Sequence, residues 1–223
     1  MNIAIVLYDR FTALDAIGPY EVLSRLPGAT VTFVAPQAGP VRTDNGMLTI
    51  LAERSLDELA QPDIVLVPGG PGEVAARAGG ATLDWLRAAD RTSTWTTSVC
   101  TGSLILAAAG LLDGRRATTH WLALEELRRL GARVGGDPYE RVVFDGKLVT
   151  AAGVSAGIDM ALALAASIAG DVVAQAIQLG IEYDPQPPFD AGSPHKAPAA
   201  VVELLRSRSR FDTESEGALA APR

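Results

Sequence analysis

Short runs of apolar or β-branched residues recur along the first half of the chain, and helical patterns separate most of them. The runs cover residues 3–7, 31–35, 63–67 and 94–99. Continuous apolar runs are typical of strands buried on both faces of a parallel sheet, because helices then cover both sides. The alternation predicts an α/β fold: a doubly wound, mostly parallel sheet sandwiched between helices.

The same pattern predicts the other elements and the domain boundary. Helical stretches are predicted at residues 15–26, 55–59, 81–89, 102–110, 122–130, 155–169, 172–181 and 199–208. Asn-Gly and Asp-Gly turns predict two added β-hairpins, one pairing residues 41–43 with 47–50 and one pairing 142–144 with 147–150. We expect one domain over residues 1–210 and a disordered tail over 211–223.

A proline-rich segment at residues 183–198 separates the last two predicted helices. It is too long and too rich in proline for a plain connector, and long ordered loops of this kind are often binding loops. A flexible linker is the alternative. The five prolines are Pro185, Pro187, Pro188, Pro194 and Pro198.

Composition narrows the class of protein. The 223 residues are 48% hydrophobic and 20% charged, as in an ordinary globular domain. The net charge of −7 argues against a nucleic-acid partner, which would need a basic face. The alanine-rich stretch 151–170 contains Ser155, Asp159 and Ser167, so we predict no membrane segment. The sequence begins without a signal-peptide pattern, so we predict a cytoplasmic location.

Cys100 is the only cysteine, and it lies where the strand at 94–99 ends and the helix at 102–110 begins. A helix N-terminus carries partial positive charge, which lowers the pKa of a cysteine placed there. A sharp strand-to-helix turn also directs the side chain out of the packed sheet. We therefore predict that Cys100 is a nucleophile; the alternative is a small buried apolar residue.

Other candidate residues follow the ends of neighbouring strands, where sites form in open α/β sheets. Asp15 could share one proton with the Cys100 thiol, which would supply both a nucleophile and an acid; a helix N-cap is its alternative role. Gly69 and Gly70 could present backbone N–H groups as an oxyanion hole, or could simply form a tight turn.

Thr101 and His120 complete the candidate set from the residues alone. Thr101 could bind substrate or water through its N–H and hydroxyl groups, or could be only an ordinary first helical residue. His120 is equally well explained as a catalytic or a structural hydrogen-bonding residue. No phosphate-loop lysine follows the glycines, and no second and third ligand accompany these residues, so neither a nucleotide site nor a metal site is predicted.

Together these residues resemble the ThiJ/PfpI superfamily over about residues 1–182. Within it the chain is similar to the isonitrile hydratase branch, and the similarity continues through residues 180–189. The resemblance implies a flavodoxin-like fold, as in class I glutamine amidotransferases, and a homodimer. It rests on Asp15, Val67-Pro68-Gly69-Gly70-Pro71-Gly72, Ser98-Val99-Cys100-Thr101-Gly102, Thr118-Thr119-His120-Trp121 and Thr150-Ala151-Ala152-Gly153.

The resemblance also implies an activity. Many members carry Glu where Asp15 stands, and protease-like members carry His where Thr101 stands. The branch implies hydration of an isonitrile to a formamide through a Cys100 thioimidate, with Asp15 as acid and base, Thr101 orienting water or substrate, Asp184 as a second carboxyl candidate, and no cofactor. Two alternatives stay open: a glyoxalase- or deglycase-type activity, and a redox- or ligand-sensing module without catalysis.

Overall fold

A seven-stranded sheet forms the centre of the protein in a computed structural model, which describes residues 1–135 and 139–211. Most of the predicted tail therefore lies outside the described residues. The strands are β1 (Asn2–Val6), β2 (Thr30–Ala35), β3 (Gly39–Arg42), β4 (Thr49–Ala52), β5 (Arg54–Ser55), β6 (Ile64–Val67), β7 (Trp95–Val99), β8 (Arg116–Ala117), β9 (Arg133–Val134), β10 (Val142–Asp145) and β11 (Leu148–Ala151).

The main sheet has the strand order β10-β11-β7-β6-β1-β2-β5. All of its neighbouring strands are parallel except the edge strand β10, which pairs antiparallel with β11 in the second predicted hairpin. The first predicted hairpin is also present, as the separate antiparallel pair β3 and β4. Strands β8 and β9 form a further small parallel pair.

The helices have the following bounds. They are α1 (Ala13–Leu23), α2 (Glu73–Ala76), α3 (Ala81–Asp90), α4 (Gly102–Ala108), α5 (Leu124–Arg129), α6 (Ala156–Ala169), α7 (Asp171–Gly180) and α8 (Ala199–Arg206). In the part of the chain that the structure describes, no helix combines the length and the apolar character that crossing a membrane requires.

The connections between strands place helices on both faces of the sheet. The chain passes from β1 to β2 in one direction along the sheet and from β6 to β7 in the other. Because crossovers between parallel strands are right-handed, α1 and α3 lie on opposite faces. Helix α6 packs against α1, whereas α4 packs against α3. The predicted doubly wound α/β fold is therefore confirmed.

The core lies along the central strands. The buried strands β1, β6 and β7 carry apolar and β-branched side chains on both faces, as the apolar runs predicted. Strands β1 and β6 are neighbours whose connections leave in opposite directions. In open α/β sheets the crevice at such a switch point, at the carboxyl ends of the strands, is where ligands bind.

Two stretches differ from the predicted elements. Residues 55–59 do not form the predicted helix, because Arg54 and Ser55 pair with the edge of β2 as strand β5 and only Asp57–Leu59 form a 3₁₀ turn. The predicted helix at 122–130 divides into a 3₁₀ turn, Trp121–Ala123, followed by α5. The hydrophobic pattern also contains no sign of α2 or β9, which are only four and two residues long.

Candidate active site

Cys100 lies at a sharp turn between β7 and α4, as predicted. Its φ angle of +56° is in the left-handed region that disfavours non-glycine residues. Its N–H donates to the carbonyls of Ala151 and Ala152, and its carbonyl accepts from the hydroxyls of Ser103 and Thr119 at 3.1 and 2.9 Å. These bonds stabilise a strained backbone, which is a common feature of functional sites.

Asp15 lies beside this turn. It belongs to the first turn of α1 and is 0% exposed. Its Oδ2 accepts a hydrogen bond from the Gly69 N–H at 2.9 Å, whereas the buried Oδ1 has no well-aligned donor among the described residues. The N-cap position is occupied by Thr12, so the alternative role of Asp15 as an N-cap is wrong.

The Asp15 carboxyl and the Cys100 thiol interact and shift each other's ionisation. Burial raises the pKa of Asp15 to about 7, although hydrogen bonds from Gly69 and Cys100 lower it. Burial also raises the pKa of the Cys100 thiol above its usual value, and the nearby Asp15 charge raises it further. The predicted lowering of the cysteine pKa is therefore wrong, because desolvation outweighs the helix terminus. The pair loses its first proton from Asp15.

Gly69 and Gly70 contact this pair, but their N–H groups already have partners. The Gly69 N–H donates to Asp15, and the Gly70 N–H donates to the Thr101 hydroxyl at 3.0 Å. The oxyanion-hole prediction is therefore corrected: these donors hold site residues in place. A Cβ atom at Gly69 would lie 2.9 Å from the Cys100 Cβ and 2.7 Å from the Thr101 hydroxyl, so only glycine fits.

Two other backbone N–H groups face the Cys100 sulfur. They belong to Thr101 and Val154, and both favour the thiolate. Val154 has a φ angle of +30°, which is unusual for a β-branched residue. Val154 is a site residue that sequence reasoning missed, since the motif at 150–153 stops one residue before it.

His120 lies at the edge of the site as a neutral imidazole. Its Nδ1 accepts a hydrogen bond from the Leu122 N–H at 3.3 Å, which places the ring proton on Nε2. Burial lowers its pKa, which favours the uncharged form. Its ring packs so closely on Gly153 that a Cβ there would lie 2.6 Å from His120 Cδ2. The residue thus caps a 3₁₀ turn while its Nε2–H remains a potential donor.

The structure does not bring Asp184 into the site. This side chain is exposed and accepts a hydrogen bond from the Gln186 amide at 3.1 Å. It is not among the residues of the proline-rich segment that line a cavity. Its contacts are those of a loop residue and not those of a second catalytic carboxyl group.

A cavity of about 520 Å³ is lined by several neighbours of Cys100, although neither Cys100 nor Asp15 is among its lining residues. Three of the residues that line it contact Cys100 directly: Thr119, Ala152 and Val154. His120 and Trp121 also line it. The proline-rich segment supplies further lining residues, which include Pro187, Phe189, Asp190, Ser193, His195 and Lys196.

A second buried carboxyl group follows the glycine turn. Glu73 is 0% exposed; its Oε1 lies 2.6 Å from Nη2 of Arg210, and its Oε2 lies 2.9 Å from Nε of Arg77. Arg210 also donates to the carbonyl of Pro71 at 3.1 Å. The C-terminal part of the described chain is thus bound to the turn that carries Gly69. No sequence pattern links these residues.

The chain is similar to known proteins along most of its length. The model of the DJ-1/PfpI family matches residues 1–167. An isonitrile hydratase of Pseudomonas putida is 44% identical over 209 residues, which cover 94% of this chain and 90% of that protein. The HTH-type transcriptional regulator CdhR of Pseudomonas aeruginosa is 33% identical over 163 residues, which cover 72% of this chain and 48% of the regulator.

Solved structures show the same architecture. A ThiJ/PfpI family protein from Pseudomonas syringae superposes with a TM-score of 0.90 at 35% identity, covering 99% of this chain and 90% of that one. Drosophila melanogaster DJ-1beta superposes with a TM-score of 0.74 at 24% identity, over 82% of this chain and 98% of that one. The second likeness concerns the fold alone.

Proposed function

Since the chain belongs to the DJ-1/PfpI family, we propose that it is an isonitrile hydratase, which adds water to an isonitrile to give an N-substituted formamide. The observation that carries this proposal is the buried pair of Asp15 and Cys100, in which a carboxyl group that titrates near neutral pH lies against a protonated thiol. The identity with the isonitrile hydratase of Pseudomonas putida, over nearly the whole of both chains, favours hydration over a glyoxalase-type or sensing role.

The first proposed step joins the thiol to the isonitrile. The terminal carbon of an isonitrile can accept both a proton and a nucleophile. Asp15 takes the proton from the Cys100 thiol as sulfur bonds to this carbon, and then delivers the proton to the same carbon. The S–H bond breaks, C–S and C–H bonds form, and the product is a thioimidate, R–N=CH–S–Cys100.

The second proposed step consumes water. Asp15 removes a proton from water as the oxygen attacks the thioimidate carbon, and the nitrogen receives that proton. The tetrahedral adduct then loses its hydroxyl proton through Asp15 to sulfur as the C–S bond breaks. This releases R–NH–CHO and restores the thiol. Isonitrile, water and two side chains supply every atom, so the proposed cycle needs no cofactor.

The neighbouring groups have supporting roles in this scheme. The N–H groups of Thr101 and Val154 stabilise negative charge that develops on sulfur while the proton is transferred. The Thr101 hydroxyl fixes the glycine turn through Gly70, and Gly69 orients the Asp15 carboxyl. The Nε2–H of His120 is available to a substrate or water in the cavity.

The direct test incubates the purified protein with cyclohexyl isonitrile and quantifies N-cyclohexylformamide. We expect turnover by the wild type and none above buffer with Cys100→Ala. Mass spectrometry of the acid-quenched wild type during turnover should show an adduct with the mass of substrate on Cys100. Absence of formamide from a panel of alkyl and aryl isonitriles would refute the proposal, and lactate formed from methylglyoxal would then support the glyoxalase alternative.

Three further proposals concern partners and location. We propose a homodimer, supported by large exposed apolar side chains on α7 and α8, among them Val172, Leu179, Val201 and Leu205. Light scattering after gel filtration measures the mass of the assembly.

The net charge of −7 supports the proposal that nucleic acid is not a partner. A cytoplasmic location is consistent with a single free thiol.

A further inference from the structure

A buried tyrosine donates to the peptide group that holds Asp15. Tyr8 follows β1, and Pro68 follows β6, which pairs with β1 in parallel. Tyr8 is 7% exposed, and its hydroxyl donates to the Pro68 carbonyl at 2.8 Å. The ends of two neighbouring strands thus bring this phenol to the glycine turn of the proposed site.

The Pro68 carbonyl and the Gly69 N–H belong to one peptide group. Because a peptide group is planar, a bond that fixes its oxygen also fixes the direction of its N–H. This N–H donates to Oδ2 of Asp15 at 2.9 Å. Two hydrogen bonds therefore connect the Tyr8 hydroxyl, through one peptide group, to the Asp15 carboxyl.

The residues on either side leave this peptide group free to turn. The proline ring fixes φ of Pro68 but not ψ, and Gly69 has no Cβ that would restrict its own φ. Rotation about these two angles tilts the peptide plane with little movement of the chain. The Tyr8 hydroxyl opposes this rotation at the oxygen, and the Thr12 N–H holds the next peptide by donating to the Gly69 carbonyl at 2.8 Å.

We infer that Tyr8 is a positioning residue of the proposed reaction, whose hydroxyl sets the peptide group that orients the Asp15 carboxyl beside the Cys100 thiol. This inference rests on the proposed function and deepens it. Donation to the carbonyl also polarises the peptide group and strengthens the bond from its N–H, since consecutive hydrogen bonds reinforce each other. The bond from Gly69 lowers the pKa of Asp15, so Tyr8 favours the carboxylate that acts as the base.

The groups around the phenol keep it protonated. Four ionisable groups act on it, namely Asp15, Cys100, Glu73 and Arg210. Burial raises the pKa of Tyr8 well above its usual value, and the three acidic groups raise it further against the single arginine. The hydroxyl therefore stays a donor at the pH where Asp15 titrates. Asp15 also experiences the charge of Asp44, from the turn between β3 and β4, which raises its pKa.

Tyr8→Phe tests this inference, because it removes the hydroxyl and keeps the buried ring. Thr97→Val is a matched control: the buried Thr97 hydroxyl donates at 2.9 Å to the carbonyl of Val65, three residues before Pro68. Both variants thus remove a buried hydroxyl from a carbonyl on the same stretch of chain, but only the Pro68 carbonyl shares its peptide group with the donor to Asp15.

Two measurements compare these variants with the wild type. The first is the pH dependence of kcat/KM for hydration of cyclohexyl isonitrile, whose acid limb reports the pKa of Asp15 in the free enzyme. The second is an infrared titration of the Asp15 carboxyl, identified by the protonated-carboxyl band that Asp15→Asn lacks. The infrared titration needs no substrate.

We expect Tyr8→Phe to raise both midpoints by about half a pH unit, because the bond from Gly69 to the carboxylate weakens. The limiting kcat at high pH should fall about 10-fold while KM stays within about 2-fold of wild type, since the change acts on the orientation of Asp15. Thr97→Val should keep the wild-type midpoints. Unchanged midpoints in Tyr8→Phe, or equal shifts in both variants, would overturn the inference.

The infrared titration separates this inference from the proposed function. Hydration of no isonitrile, together with an infrared midpoint raised in Tyr8→Phe alone, would refute the hydratase function but support the hold of Tyr8 on Asp15. Hydration by the wild type, together with an infrared midpoint that Tyr8→Phe leaves unchanged, would support the function and overturn the inference.

Discussion

Two carboxyl groups on either side of one glycine turn are both fully buried, yet they have different surroundings. Asp15 accepts one hydrogen bond from the backbone N–H of Gly69 and lies beside the Cys100 thiol. Glu73 is paired with two arginines, Arg77 and Arg210. Burial raises the pKa of both groups, but only for Glu73 do neighbouring cations oppose that rise.

These surroundings assign proton transfer to one carboxyl group and structural support to the other. A buried carboxyl without a cation keeps a pKa near neutrality and can exchange its proton at little cost. A buried carboxyl between two guanidinium groups has part of its desolvation cost offset by the cations, and its ion pairs connect segments that are distant in sequence. Asp15 is therefore suited to chemistry and Glu73 to architecture.

The largest effect should come from removing the titrating group. Asp15→Asn keeps the shape of the side chain but cannot exchange a proton, so we expect kcat for isonitrile hydration to fall about 10³-fold, within the range of roughly 10²–10⁴ for acid–base groups. Formamide production measures this. Glu73→Gln is the matched variant, and an equal loss of kcat in that protein would contradict the separate roles of the two carboxyl groups.

The same substitution should change how stability depends on pH. The pKa of Asp15 is about 7 in the folded protein and near 4 in an unfolded chain. Between these values Asp15 holds a proton in the folded protein that it lacks in the unfolded chain. Its contribution to stability therefore falls as pH rises from 4 to about 7 and then levels off.

Ionisation of Asp15 should lower the free energy of unfolding of the wild type by about 4 kcal/mol once the pH exceeds 7. Asp15→Asn lacks this group, so urea denaturation should show the variant gaining stability relative to the wild type as pH rises from 4 to 7. Glu73→Gln should retain most of the wild-type slope. A constant difference between Asp15→Asn and wild type from pH 4 to 8 would show that Asp15 does not titrate there.

Gly69→Ala should damage the site through packing, because the added Cβ would overlap the Cys100 Cβ and the Thr101 hydroxyl. We expect about a 100-fold loss of kcat as the N–H that orients Asp15 moves. Gly180→Ala is the matched control, since nothing lies within 4 Å of its added Cβ. That variant should keep full activity, and similar kinetics for both alanine variants would contradict the tight packing at Gly69.

The smallest effect should be that of Glu73→Gln. Loss of the charge weakens the pairs with Arg77 and Arg210, but it also removes the desolvation cost that raises the pKa of Glu73, so we expect the free energy of unfolding to change by no more than about 2 kcal/mol. The kcat for hydration should stay within about 3-fold of wild type. Urea denaturation at pH 7 measures the first quantity and formamide production the second.

The parts of the site that follow buried strands are predictable from the sequence. Apolar runs locate strand ends, and strand ends converge at one edge of a parallel sheet, so Asp15, Gly69 and Cys100 can be grouped from the hydrophobic pattern alone. The same reasoning leads to the doubly wound fold. The roles of these residues stay predictions until the variants are measured.

The remaining features depend on tertiary contacts that leave no local pattern. The rise in the Cys100 pKa comes from desolvation, which sequence position does not reveal. The glycine N–H groups are predicted to bind an anion because their true acceptors, Asp15 and Thr101, are distant in sequence. Asp184 is predicted as a site residue because it lies in a segment similar to the isonitrile hydratase branch, although its contacts are local.

The pairing of Glu73 with Arg210 also bears on the order in which the chain folds. These partners are separated by 137 residues, whereas Asp15 and Gly69 are separated by 54. Closing the longer loop costs more entropy. The contact with Glu73 also requires Arg210, near the end of the described chain, whereas Asp15 and Gly69 both lie in its first third. A growing chain can thus assemble the proton-transferring carboxyl before its C-terminal segment docks.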